Sequence, residues 1–276
     1  MSQFEGRARR PRRYSSNWAR GREHPRLVTD PGVKSGYLSE IFVSFQGEGA
    51  HIGERHLFVR LAGCHLRCRY CDTPDSLERS ASFVVHSASG ATQYANPVSP
   101  QMVAELVRSL LAGAGPVDAI SLTGGEPLTQ ARFLADFLST ARFALPVLLE
   151  TSGTLPRQLG EILPYIDIVS MDIKLPSNTG EPDFWEEHRT FLRLAANKAL
   201  YVKILVDDST SDGDFMRALQ LLDGDRGLAV FLQPILDTAG RPTIALANLD
   251  RLHSLARTSL DRVRVLPQIH KVLGIP

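Results

Sequence analysis

Three cysteines within eight consecutive residues are the feature of this chain with the clearest chemistry. Cys64, Cys68 and Cys71 are all the cysteines of the 276 residues, and they are four and three positions apart. An odd, crowded set in a chain large enough to stabilise its own core is not a disulfide framework. A short loop that carries three thiolates can instead surround one metal centre, so the spacing favours an intracellular metal or cofactor site.

The missing fourth cysteine leaves three interpretations open. A cluster of four irons held by three thiolates exposes one iron to a substrate or cofactor, and the motif favours this reading. Zinc with His65 as its fourth ligand is an alternative, although the adjacent Cys64 and His65 would have difficulty reaching one ion in tetrahedral geometry. Structural cysteines without a metal are the third interpretation.

The elements that must position this loop alternate between strand and helix from Tyr37 onward. Short apolar, β-branched runs predict six strands, at His56–Leu61, Ala119–Thr123, Pro146–Thr151, Asp167–Asp172, Leu200–Val206 and Gly227–Gln233. Helical spacing of apolar residues predicts helices at Pro100–Ala112, Gln130–Arg142, Pro156–Ile166, Asp183–Asn197, Asp214–Leu222 and Ile244–Thr258. Strands buried on both faces and joined by helices imply a parallel sheet, and six are too few for a closed eight-stranded barrel. We therefore predict an α/β fold: a partial, open TIM-like barrel of about six parallel strands with the helices outside.

Polar and glycine-rich segments follow these strands. They are GCHLRCRYCDT, TGGEP, ETSGT, SMDIKLPS, KILVDD and LQP, in chain order. Because ligands bind at the carboxyl ends of parallel strands, we expect these segments to converge on one site.

Composition and charge exclude several classes and mark a tail. No apolar run approaches the roughly 18 to 20 residues of a membrane span, and the first residues lack the apolar region of a secretory signal, so we expect a soluble, cytoplasmic protein. The net charge is +1, but residues 1–26 hold eight arginines against two glutamates, which leaves about −5 on the rest. We predict a basic, flexible extension over 1–36, a domain over 37–276, and a loop or small insertion over 75–100. We interpret the extension as a solvated tail. Two alternatives are a segment that contacts RNA or an acidic partner and a transit peptide. Of these, nucleic acid is not the partner we expect.

The motifs together resemble a known superfamily. Cys64-x-x-x-Cys68-x-x-Cys71 after the first predicted strand, with Gly-Gly-Glu after the second, resembles the radical S-adenosylmethionine (SAM) enzymes. That resemblance implies a [4Fe–4S] cluster whose open iron binds SAM and whose electron cleaves it to a 5′-deoxyadenosyl radical. The flanking segments SEIFVSFQGEG, FVRLAGC, CDT, LTGGEP, ETSGT and QIHKVLGIP resemble the 7-carboxy-7-deazaguanine synthases.

This resemblance, which covers most of residues 37–276, implies a reaction and a set of partners. Such enzymes convert 6-carboxy-5,6,7,8-tetrahydropterin to 7-carboxy-7-deazaguanine with loss of ammonia, in the biosynthesis of queuosine and related 7-deazapurines. They use Mg²⁺ and regenerate SAM. The implied partners are an electron donor such as flavodoxin or ferredoxin and a second copy of the chain.

The resemblance also implies roles for individual residues. The pterin would contact Phe45, Gln46, Gly47, Glu48, Arg60, Thr123, His270 and the carboxylate of Pro276. SAM would contact Tyr70, Cys71, Asp72, Gly124, Gly125, Glu126, Glu150, Ser170, Asp172, Lys174, Gln233 and Pro234. Thr73 would offer an oxygen to Mg²⁺, a hard ion that prefers oxygen ligands.

One segment departs from the pattern of the synthases. Ser170-Met-Asp-Ile-Lys174 stands where a shorter serine-proline-lysine pattern is expected, and Asp-Ile-Lys after this strand also occurs in activases of glycyl-radical enzymes. Such an activase is therefore the second hypothesis, and a zinc-binding, non-enzymatic adaptor is the third.

Overall fold

One sheet runs through residues 35–275, which are the residues that the computed structural model describes. Its strand order is β10-β9-β8-β7-β6-β5-β2-β1-β3-β4. The strands are β1 (Leu38–Phe45), β2 (Arg55–Leu61), β3 (Ser82–Ser87), β4 (Gly90–Ala95), β5 (Ala119–Gly124), β6 (Val147–Thr151), β7 (Ile168–Ile173), β8 (Ala199–Val206), β9 (Ala229–Pro234) and β10 (Arg262–Val265). The helices are α1 (Pro100–Gly113), α2 (Ala131–Ala141), α3 (Pro156–Ile162), α4 (Pro176–Thr179), α5 (Trp185–Ala195), α6 (Asp212–Leu222), α7 (Leu246–Ala256) and α8 (Ile269–Leu273).

The six predicted strands are β2 and β5 to β9, and the prediction of a parallel, open sheet is confirmed. These strands are neighbours, and each pairs in parallel with the next. Helices such as α2 and α6 connect them, as parallel pairing requires. The sheet ends at β10 on one side and β4 on the other without closing into a barrel.

Four strands lie outside the prediction. β1 is antiparallel to β2, and β10 extends the parallel run beyond β9. Residues 82–95, where we expected a loop or small insertion, form the hairpin β3–β4, and β3 pairs with β1. β4 is exposed along most of its length, so it carries no apolar pattern that would have predicted a strand.

Alternation along the strands separates two faces of the sheet. The outer face packs on the helices in one large apolar core that includes Val169, Met171 and Phe137. The inner face begins with a small apolar cluster of Leu148, Ile168, Tyr201, Ala229 and Phe231. Two positions further along these strands the inner face becomes polar, with Glu150, Ser170, Lys203 and Gln233. The packed inner floor therefore supports a polar layer at the carboxyl ends of the strands.

Two predictions concern residues that the structure does not describe. Residues 1–34, with all eight arginines of the predicted extension, lie outside the described part of the chain, and so does Pro276. Within 35–275, no helix combines the length and the apolar character that crossing a bilayer demands.

Candidate active site

A cavity of about 410 Å³ opens at the carboxyl ends of the parallel strands. The predicted residues that line it are Phe45, Gln46, Gly47, Glu48, Arg60, Cys64, Cys68, Tyr70, Cys71, Asp72, Thr73, Thr123, Gly124, Gly125, Glu126, Glu150, Asp172, Lys174, Gln233 and His270. Ser170 and Pro234 are buried in their strands and do not line the cavity. Segments as far apart in sequence as Phe45 and His270 thus meet in one place.

The three cysteines lie on the loop that follows β2, and all are partly buried. Backbone hydrogen bonds tie this loop to its surroundings, from Cys64 N to Leu77 O (3.1 Å) and from Arg69 N to Thr179 O (3.0 Å). Burial raises the pKa of the Cys64 thiol to about 11 and raises that of Cys68 as well. Thiols in this setting become thiolates only when a cation compensates the charge, which a bound metal centre does.

The arrangement of the sulfurs fits a cluster better than a single ion. Three ligands of one tetrahedral zinc lie about 3.8 Å apart, given Zn–S bonds of about 2.3 Å. The groups of residues 35–275 whose ligand atoms all lie within 4.8 Å of one another do not include the three cysteines. His65, the fourth zinc ligand considered above, places its Nε2 2.8 Å from Thr154 Oγ1. The donor set therefore suits a centre in which each thiolate binds a separate iron.

The glycine pair after β5 is required by the backbone itself. Gly124 has φ +130°, and a Cβ there would overlap the backbone of Leu61, while one at Gly125 would collide with Gly63. The chain passes so close because Gly125 N donates to Leu61 O (3.1 Å). Glu126 N donates to Gly63 O (3.0 Å) in the same crossing. These contacts hold the end of β5 against the start of the cysteine loop.

Glu126 is buried and ties two of the strand-end segments together. Its carboxylate accepts hydrogen bonds from Thr151 Oγ1 (2.8 Å), Ser152 N (2.8 Å) and Leu128 N (3.1 Å). Three donors thus already satisfy this buried side chain. The predicted contact of Glu126 with SAM stays a prediction.

Glu150 is the centre of a second hydrogen-bonded group. Gln46 Nε2 donates to its Oε1 (2.8 Å) and Thr123 Oγ1 to its Oε2 (2.7 Å). The loop between β1 and β2 therefore reaches across the cavity to β6. Two residues predicted to contact the pterin, Gln46 and Thr123, thus donate to a residue predicted to contact SAM, Glu150.

A buried ion network crosses the floor of the cavity. Its central residue, Lys203, was not among the predicted site residues, although its segment KILVDD was expected at the site. Lys203 Nζ contacts Glu48 Oε2 and lies 3.2 Å from Asp172 Oδ1, while Lys174 Nζ lies 3.0 Å from Asp172 Oδ2. Burial by itself lowers the pKa of Lys203, but Asp172 and Glu48 outweigh burial and hold that pKa well above its ordinary value. A charged residue inside the apolar run LYVKILV was the available signal.

Glu48 receives more hydrogen bonds than the other carboxylates of the network. Gln233 Nε2 (3.1 Å) and Gln268 Nε2 (2.6 Å) both donate to its Oε1. Burial raises the pKa of Glu48, but the attraction of Lys203, together with that of the other partners, lowers it by more. The pKa of Glu48 therefore lies below its ordinary value. Glu48 is therefore ionised at neutral pH.

Arg60 lies at the cavity with an acidic partner from the neighbouring strand. Its Nε donates to Glu40 Oε1 (2.7 Å), and its guanidinium carbon lies 5.3 Å from the centre of the Phe42 ring. The ring holds the planar group in place by a cation–π contact. Arg60 thus faces inward, as its predicted role requires, while Glu40 takes one edge of its fork.

The end of the chain packs over the loop that carries Glu48. Ile269 N donates to Gly47 O (3.0 Å), and a Cβ on Gly47 would collide with the His270 ring. Gln268, missed as a site residue although its motif was noted, also donates to Asp72 Oδ2 (2.7 Å). Burial raises the pKa of Asp72, but Lys271 and Gln268 outweigh it and hold the pKa below its ordinary value. The chain thus returns to the cavity, which Ile275 also lines.

Comparison with known proteins settles the family. The model of the radical SAM superfamily matches residues 59–222. A 7-carboxy-7-deazaguanine synthase of Geobacter sulfurreducens is 39% identical over 256 residues, which span 90% of this chain and 99% of the relative. The chain belongs to the 7-carboxy-7-deazaguanine synthase family.

A second relative agrees with this membership, and a solved structure shares the fold. A synthase of the same name from Methanopyrus kandleri is 35% identical and covers 88% of this chain and 94% of its own. The crystal structure of QueE from Escherichia coli shares the fold, with a TM-score of 0.52, 20% identity, and coverage of 84% of this chain and 93% of that one. The chain is therefore a radical SAM enzyme of the synthase family, the first of the three hypotheses above, and the family implies an iron–sulfur cluster and SAM.

Proposed function

We propose that this enzyme converts 6-carboxy-5,6,7,8-tetrahydropterin to 7-carboxy-7-deazaguanine with loss of ammonia. One observation carries the proposal: a single cavity contains the three cysteines, the Gln46–Glu48 segment and the Gln268–Lys271 segment. Only the cysteines belong to radical SAM chemistry in general. The other two segments carry the resemblance to the synthases, and they contact each other through Gln268 and Glu48.

Cys64, Cys68 and Cys71 would hold the cluster, and the remaining iron would bind SAM. When bound, a [4Fe–4S] cluster supplies the single electron that cleaves SAM reductively. The crossing at Gly124 and Gly125 brings bare backbone to the cavity next to the cysteine loop. Backbone without side chains lets a flat or extended cofactor approach closely.

Further SAM contacts would come from the carboxyl ends of three strands. Glu150 and Asp172 present carboxylates suited to ribose hydroxyls or the methionine ammonium. Lys174 lies 5.5 Å from the centre of the Tyr70 ring, so these two side chains share one wall of the cavity. Gln233 would close the adenosine side, while Ser170 and Pro234 would act from behind the lining.

The pterin would lie over Glu48. A pterin presents ring N–H and amino donors along one edge, and an ionised carboxylate accepts from both. Lys203 keeps Glu48 ionised, and Gln46 offers an amide beside it. Phe45 is half exposed at the mouth and offers an apolar face, while Arg60 would bind the substrate carboxylate with the edge that Glu40 leaves free.

Mg²⁺ would bind between the substrate and the cysteine loop. Thr73 lines the cavity next to Asp72. Glu48, Asp72 and His270 each offer a ligand atom, and these atoms lie within 4.8 Å of one another. Oxygen ligands from Thr73, Glu48 and Asp72, together with substrate oxygens and water, match the preference of Mg²⁺.

The partners follow from the same chemistry. A one-electron donor of the flavodoxin or ferredoxin type would reduce the cluster, and a second copy of the chain would complete a homodimer. A cytoplasmic location would keep the three thiols reduced. Size-exclusion chromatography with light scattering tests the dimer directly.

The decisive assay combines anaerobically reconstituted, reduced protein with SAM, Mg²⁺ and 6-carboxy-tetrahydropterin. We expect 7-carboxy-7-deazaguanine and ammonia in equal amounts, detected by mass spectrometry and an ammonia assay. Cys68→Ala should abolish the cluster absorbance near 400 nm and turnover, whereas Met216→Ala, on an exposed face of α6, should change neither. A fully loaded cluster with no deazaguanine formed would overturn the proposal.

A further inference from the structure

Two imidazoles and a carboxylate meet at the opposite end of the sheet from the cysteines. His51 ends the turn Gly49–His51, and His56 is the second residue of β2, the strand whose far end leads into the cysteine loop. Glu54 Oε2 lies 2.9 Å from His51 Nδ1 and 3.4 Å from His56 Nε2. One ligand atom from each residue falls within 4.8 Å of the other two.

We propose that His51, Glu54 and His56 form a zinc site separate from the active site. Two imidazole nitrogens and one carboxylate oxygen are a set that Zn²⁺ binds with water in the fourth position. The proposal does not depend on the reaction proposed above, since none of the three residues lines the cavity there.

The second nitrogen of His56 supports this assignment. Its Nδ1 lies 2.8 Å from Ser121 Oγ on β5, which turns Nε2 toward Glu54. A metal-bound histidine is commonly oriented by such a hydrogen bond at its other nitrogen. His56 is fully buried, so its ring is held between Ser121 and Glu54.

Access and charge come from Glu54. Its side chain is 43% exposed, compared with 12% for His51 and none for His56. An ion can therefore arrive from solvent at Glu54 and be completed by two rings that are already in place. The carboxylate also neutralises one of the two charges of Zn²⁺ at this partly buried position.

The site would fix the loop that supplies substrate contacts. Gln46 N donates to Glu54 O (2.8 Å), and Gly53 N donates to Gln46 O (2.8 Å), so the loop closes on itself. The ion would join this loop to β2 from the side away from the cavity. Gln46 and Glu48 would then be held by the ion on the side away from the cavity, as well as by their hydrogen-bond partners within it.

The test uses the full chain without cysteines, because Cys64, Cys68 and Cys71 are all the thiols it has. Zinc binding to C64A/C68A/C71A is measured by competition with a chromophoric chelator, and Co²⁺ replaces Zn²⁺ for spectroscopy. We expect one tight equivalent, d–d bands without thiolate charge transfer, and at least about tenfold weaker binding after Glu54→Gln. His270→Gln in the same background removes a ligand of Glu48, Asp72 and His270, the other three-ligand group within residues 35–275, and should leave the tight equivalent intact.

Two results would overturn the site: Glu54→Gln binding zinc as tightly as its parent, or His270→Gln losing the tight equivalent. In either case the His51 and His56 contacts are hydrogen bonds only. If the cysteine-free chain does not fold, the cluster-loaded enzyme and its Glu54→Gln variant are dialysed against a weak chelator and analysed for metals. One zinc per chain in the first and none in the second, at equal iron, supports the site, and equal zinc in both refutes it.

Discussion

Replacing Lys203 by methionine removes the ammonium that contacts both Glu48 and Asp172 while keeping an unbranched side chain of similar length. The lysine side chain is only 6% exposed, so water cannot take its place at the buried carboxylates. Asp172 keeps Lys174 as a partner. Glu48 keeps only neutral amide donors among the contacts described above, so it bears most of the loss.

The expected loss of stability is about 3 kcal/mol. Removing one partner of a buried ion pair costs about 3–5 kcal/mol, because it leaves an uncompensated charge. The two amide donors that Glu48 retains place the value at the lower end. A loss of this size is a large part of the roughly 5–15 kcal/mol that stabilises a typical domain.

The loss should depend on pH, and the sign follows from Glu48. In the parent its folded-state pKa lies below the ordinary value, so its contribution is present above about pH 4.5 and is lost as pH falls further. Without Lys203, burial dominates and raises this pKa above the unfolded value. The contribution is then present at low pH and lost as pH rises, so the difference between parent and variant should be largest at pH 8 and shrink toward pH 5.

Urea unfolding of the apoprotein, followed by circular dichroism at pH 8 and pH 5, measures both effects. Arg251→Met is the matched control, because Arg251 pairs with Asp212 on the surface, where a pair contributes only about 0–1 kcal/mol. A loss at Lys203 no larger than that of the control, or equal at both pH values, would refute the reasoning.

Three shorter predictions follow from other positions. Gly47→Ala should raise the KM for the pterin about tenfold or more at unchanged cluster content, because the new Cβ collides with the His270 ring. Steady-state kinetics measure the KM, and an unchanged value would contradict the prediction. Gly124→Ala should destabilise the protein by about 3 kcal/mol or more, since a positive φ alone costs on the order of 1–3 kcal/mol. Gly213→Ala is the control and should be neutral or slightly stabilising, because Gly213 lies in α6 with open space around it; equal urea midpoints for the two variants would contradict the prediction. Burial lowers the pKa of His188 to about 4, so the free energy of unfolding should fall as pH drops from 6.5 toward 4. His188→Gln should reduce the slope of the unfolding free energy against pH by up to about 1.4 kcal/mol per pH unit; an unchanged slope would contradict the prediction.

The local chemistry of the site could be predicted from the sequence because neighbouring residues carry it. The cysteine spacing, the glycine pair and the segments after each strand are short-range patterns, and parallel strands bring such segments to one edge of a sheet. For the same reason the six central strands were predicted correctly. β1 and the β3–β4 hairpin were not. β4 lies at the edge of the sheet and is exposed, and β1 mixes buried with partly exposed positions, so neither has the continuous apolar run of a strand buried on both faces.

The charge states and partners of the site residues were decided only by the tertiary structure. Lys203, Glu48 and Gln268 are far apart in the chain, and nothing in their local sequence shows that they contact one another. They meet because the loop after β1 folds into the open side of the sheet and the chain end packs over it. An ion pair gains its strength from burial and from the distance between its atoms, and neither can be read from the order of residues. The cysteine spacing therefore predicts a cluster at the strand ends, whereas only the folded structure shows that the carboxylate of Glu48 is ionised in the cavity.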